Sequence, residues 1–164
     1  MEPIGLLQIT NIQIPLEFVE GIYDEFRKTG AQGYERLALF AGMKAGETFT
    51  VTQIVYPKQY LTRGPQGLSF FVEGEELERI GDWLFEQKLS LIGQIHSHPA
   101  EAYHSEADDD MAIITKYGSI SIVVPDFGNS DYMLQGSAFY RLMPQLGWTA
   151  LAREEIIGLI KIIV

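Results

Sequence analysis

At 164 residues, with 46% apolar and 21% charged side chains, the chain has the length and composition of one globular domain with its own core, and wholesale disorder is excluded. It contains no cysteine, which removes disulfides, thiolate metal ligands and cysteine-nucleophile chemistry, so any metal must be held by His, Asp or Glu. A formal net charge of −10 argues against a phosphate backbone as ligand, and nucleic acid is not an expected partner.

Residues 6–14 set apolar Leu6, Ile12 and Ile14 among polar Gln8, Asn11 and Gln13, which predicts a first strand, and Pro15 suits the start of a helix. Over residues 16–27 the apolar positions Leu16, Val19, Ile22, Tyr23 and Phe26 recur at three- and four-residue steps, as one face of a helix requires, with Gly30 and Gly33 to close it. Two β-rich runs, residues 37–43 and 49–56, flank the polar, glycine-containing residues 44–47 and predict a hairpin. Residues 57–67 are expected as a loop that could border a cleft and clamp an extended peptide.

A short strand is expected over residues 68–72 and a helix over 75–87, where Leu77, Ile80 and Leu84 share a face. Residues 89–98 read as a buried strand. Ser105 is placed to cap a helix over residues 106–116, with Glu106, Asp108 and Asp109 near its positive end. Strands follow at 120–124, ended by Pro125, at 133–142 and at 148–151. The β-branched content of residues 156–164 favours a last strand over a helix. This order predicts an α/β or α+β domain spanning residues 1–164, a mixed sheet flanked by helices. Trp83 and Trp148 are assigned to core or interface, without chemistry.

No window holds the roughly 20 apolar residues of a membrane span, and the opening MEPIGLLQI has no basic segment ahead of a long apolar run. No membrane partner is expected, and the cytoplasm is the expected compartment.

The three histidines, His96, His98 and His104, all fall within nine residues, in QIHSHPAEAYHSEADDD. Residues two apart on a strand point to the same side, so His96 and His98 aim both imidazoles at one point while Ser97 points away, and Pro99 ends the strand. A catalytic zinc ion wants a third protein ligand, an open position for water and a nearby base. The acids downstream can supply the ligand: Asp108 stands in the first turn of the expected helix beside the capping Ser105, whereas Asp109 and Asp110 read as its solvated face. His104 reads either as an exposed loop residue or as one that supports a ligand or faces substrate.

The run His96-Ser97-His98-Pro99 followed by Ser105-x-x-Asp108 resembles the JAMM motif of the JAB/MPN-domain metallopeptidases. That family also carries a Glu on an earlier strand, seven residues before a Gly, and Glu35 stands so before Gly42. The resemblance implies an MPN/JAB-like fold and one Zn2+ held by His96, His98, Asp108 and a water. It further implies Glu35 as general base and proton donor, and Ser105 as the hydroxyl that steadies the oxyanion. The interval from His98 to Asp108 is one residue shorter than the family's, and Asp109 would restore it; Asp108 keeps the Ser-x-x-Asp phase and puts the shortening in the loop before it. The chain is most similar to compact bacterial members, often encoded beside ubiquitin-activating-like and conjugating-like proteins, which implies an isopeptidase acting at the C-terminus of a ubiquitin-like protein. Another small-substrate zinc hydrolase, or a non-catalytic MPN scaffold, are the alternatives.

Overall fold

The computed structural model describes residues 5–64, 67–104, 113–130 and 133–164, apart from the side chains of residues 61–70. Strand β1 (Asn11–Pro15) runs straight into helix α1 (Leu16–Gly30), and Pro15 ends the one and caps the other at φ −57°. A proline there forfeits no N–H that the helix could use. α1 buries Val19, Ile22, Tyr23 and Phe26, the face that its spacing marks. β2 (Leu37–Ala45) and β3 (Thr48–Val55) form a hairpin whose turn contains Gly46 at φ +61°. Then come β4 (Tyr60–Gly64), β5 (Gly67–Phe71), α2 (Gly74–Gln87), β6 (Ser90–Ser97) and β7 (Ile120–Val124). A 3₁₀ turn (Asp126–Gly128) leads on to β8 (Ala138–Met143), β9 (Gly147–Ala150), α3 (Arg153–Leu159) and β10 (Ile160–Ile163).

Eight strands make one mixed sheet in the order β10-β1-β3-β2-β6-β7-β8-β9, and β4 with β5 makes a separate two-stranded ribbon. β6 and β7 run parallel; β2 lies antiparallel to both β3 and β6. Alternate residues of β2 enter different cores. Ala38 and Phe40 pack with Val19, Ile22 and Phe26 of α1, while Leu37 and Leu39 pack with Ile80 of α2 and with Ile114. The sheet is therefore covered by helices on both faces, the α+β layering that the element order predicts. Each fully buried Ile, Leu or Phe contributes about 1.5–3 kcal/mol. Arg141 on β8, half-buried and with its pKa lowered by burial, ties the N-terminal segment down by donating to the carbonyls of Gly118, Leu6 and Ile9 at 3.0, 3.2 and 2.7 Å. No helix among the described residues is long and apolar enough to cross a membrane.

Four expectations are corrected. Residues 6–8 turn rather than extend, and the first strand begins at Asn11. The expected loop at 57–67 contains β4, paired with β5 through the stacked cross-strand rings of Tyr60 and Phe71, 5.5 Å apart. Residues 133–136 form a turn, with Met133 and Leu134 at φ +49° and +74°, so that strand starts at Ala138. Residues 153–159 form α3, because Glu155 accepts the Ala152 N–H at 3.0 Å and Glu154 and Glu155 sit at its positive end; only residues 160–163 extend. Of the helix expected over 106–116, residues 113–116 are irregular and 105–112 lie outside the described residues.

Candidate metal centre

β6 brings two imidazoles to the C-terminal end of the sheet. His96 and His98 are 1% and 5% exposed, and their Nε2 atoms stand 3.2 Å apart. His98 Nδ1 lies 3.1 Å from the Glu101 carbonyl, which can only accept, so the proton sits on Nδ1 and Nε2 keeps its lone pair. Two imidazole nitrogens on a tetrahedral zinc ion, at Zn–N of about 2.0–2.1 Å, are separated by about 3.3 Å. The observed spacing and an Nδ1-protonated His98 fit such an ion. Among the described residues no group of three or more His, Asp or Glu side chains gathers at one point. Ser105, Asp108, Asp109 and Asp110, the expected hydroxyl and carboxylates, lie outside the described residues.

Ser97, turned to the other side, closes the strand end: its N–H donates to the Arg36 carbonyl at 3.1 Å and its hydroxyl accepts the Arg36 N–H at 2.9 Å. These bonds join the two segments just past the Leu37–His96 pair, at which the β2–β6 register ends. Arg36 faces α1, where it pairs with Glu25 at 3.5 Å, and Glu35 precedes it, two residues ahead of β2. Gln59 secures the start of β2 by accepting the Leu37 N–H at 3.0 Å and donating to its carbonyl at 3.2 Å. Glu35 itself is partly buried.

His104, left open between two readings by the sequence, is partly buried beside the pair. Its ring centroid lies 6.0 Å from that of His96, and it packs against Tyr140 at 4.8 Å and Trp148 at 5.4 Å. Trp148 thus borders the site, a role the sequence analysis did not assign. Tyr103, 52% exposed, meets the His98 ring edge-on at 5.0 Å.

No family model matches the chain. The probable metalloprotease y4jG of Sinorhizobium fredii (strain NBRC 101917 / NGR234) is 34% identical to it over 158 residues, 96% of this chain and 98% of that protein. The chain belongs to that protein's family. Kinship of this extent supports a metal-dependent hydrolase, consistent with the convergent imidazoles. The solution structure of protein DSY2949 from Desulfitobacterium hafniense matches over 93% of this chain and 94% of its own, with TM-score 0.63 and 17% identity. That likeness is one of fold.

For this relative of a probable metalloprotease, the sequence pointed to the imidazole pair. It missed Gln94, Ser121 and Tyr140, which lie on the same face of the sheet; the only signal was polar Gln94 standing two residues before His96 in an apolar strand.

Proposed function

We propose that the chain is a zinc metallopeptidase of the JAB/MPN type, in which His96, His98 and Asp108 hold one zinc ion while Glu35 and Ser105 carry proton transfer and charge stabilisation. The observation that carries this reading is the 3.2 Å approach of the two Nε2 atoms, with the His98 proton held on the far nitrogen. Zinc, when bound, supplies Lewis acidity and a water acidic enough to ionise near neutral pH. In this reading Glu35, just ahead of β2, accepts a proton from the attacking water and returns it to the leaving amine, a role worth about 10²–10⁴ in rate. The Ser105 hydroxyl donates to the carbonyl oxygen as negative charge develops there. Burial of both imidazoles keeps bulk water from competing for these contacts.

The proposed substrate is the bond at the C-terminus of a ubiquitin-like modifier, in a precursor or a conjugate, with activating- and conjugating-enzyme-like proteins as associated partners. Its support is the motif resemblance to compact bacterial JAB/MPN members. The test is a cleavage panel of linear ubiquitin-like fusions, isopeptide conjugates, short peptides and small amides. Cleavage after the modifier's last residue, abolished by a chelator and in Glu35→Gln, is expected. Metal-dependent turnover of the small amides alone would replace the substrate with a small molecule and leave the metal chemistry standing.

A further inference from the structure

The histidine face of the sheet buries polar groups that an apolar layer has no use for, and they converge on His104. Gln94 and Ser121 are register partners on β6 and β7, 1% and 0% exposed. Gln94 Nε2 donates to Ser121 Oγ at 3.2 Å, and Ser121 Oγ lies 2.9 Å from His104 Nε2. The Ser121 hydroxyl therefore links the Gln94 amide to the His104 imidazole, accepting from the first and hydrogen-bonded to the second. The His104 backbone N–H donates to the Tyr140 hydroxyl at 3.0 Å, and Tyr140 and Trp148 pack on the ring. Three strands, β7, β8 and β9, therefore hold His104, and its ring meets that of His96 edge-on. Desolvating an amide and a hydroxyl is unfavourable unless they are bonded; here the amide NH₂ and the hydroxyl are, while Gln94 Oε1 has no partner among the described residues. The relay makes physical sense as a device that fixes one ring.

We propose that His104 is a positioning residue: Gln94 and Ser121 lock its imidazole, and that imidazole sets the ring orientation of His96 so that Nε2 stays turned toward Nε2 of His98. This rests on the reading of His96 and His98 as metal ligands and places no bond between His104 and the metal. The outer torsion of a histidine is broad, so a ligand ring with no wall beside it spends part of its time turned away. Groups that orient a ligand from behind typically change metal affinity by about 10–100-fold.

The test compares wild type with Ser121→Ala, His104→Phe and His104→Gln, in which glutamine restores a hydrogen-bonding partner to Ser121. Zinc dissociation constants come from competition with a chromophoric chelator, and coordination geometry from the d–d absorption of the cobalt(II) forms. Ser121→Ala and His104→Phe are expected to weaken zinc by about tenfold or more and to shift the cobalt bands, while His104→Gln stays within about threefold of wild type. Affinities and spectra unchanged in Ser121→Ala and His104→Phe would overturn the proposal. So would equal losses in His104→Phe and His104→Gln, which would leave His104 as mere filling. A wild type that binds no zinc, or a His96→Ala protein that binds it as well as wild type, overturns the metal reading beneath it without reference to any His104 variant.

Discussion

His98 carries its own statement of which nitrogen faces the cleft. With Nδ1 held by the Glu101 carbonyl, the lone pair is on the Nε2 that approaches His96. The proposed function gives Glu35 a different duty, and the two separate experimentally. Glu35→Gln should keep its metal while losing about 10²–10⁴ of the catalytic rate; an isotherm of metal binding beside a progress curve checks this, and simultaneous loss of metal would make Glu35 a ligand instead. The imidazole pair was legible in the sequence because strand alternation is local: His-Ser-His needs only a period of two. Gln94, Ser121 and Tyr140 were not, because Ser121 and Tyr140 reach the site through pairing registers set far away in the chain. The burial of His104 depends on β8 and β9, which no pattern around residue 104 announces.

At the scale of elements, the site stands on the β6–β7 pair, and Gly93 is what lets those strands close. A Cβ there would lie 2.2 Å from the Ile120 carbonyl oxygen, a backbone atom that has no room to move. Gly93→Ala is expected to destabilise the fold by about 1–3 kcal/mol or more, read as a lower urea midpoint; an unchanged midpoint would deny the tight pairing. α2 is tied to the segment before β4 by Glu76, which pairs with Arg79 and accepts the Lys58 N–H at 2.5 Å. The Arg79 guanidinium, with help from that N–H, holds the Glu76 carboxyl down at about 2. A depressed carboxylate contributes stability that is fully present above its ordinary pKa of 4.5 and is lost as pH falls through about 2. Glu76→Gln should therefore flatten the fall of the unfolding midpoint between those pH values, and parallel curves for variant and wild type would contradict it.

Helices α1 and α2 were legible because each shows one apolar face at helical spacing, and β5 from its short apolar run, whereas β4 and α3 were not. β4 is five residues long and ends in a glycine, too short for alternation to speak. In α3 the β-branched preference of Ile156 and Ile157, a matter of about 1 kcal/mol across the whole scale, yields to the cap made by Glu155.

Taken whole, the molecule is a mixed sheet sealed by helices, with the histidine pair at one end of its central strands and a net charge of −10 that favours a neutral or basic partner. A metal bound only by the folded state adds to global stability, so a chelator should lower the melting temperature and excess zinc should restore it. The most direct test of the central claim is zinc content by elemental analysis, on wild type and on His98→Ala, Asp108→Ala, Asp109→Ala and Glu35→Gln purified alike. The account predicts about one zinc per chain, lost with His98 or Asp108 and kept with Asp109→Ala and Glu35→Gln. Wild-type protein that holds no zinc when handled without chelators would contradict it.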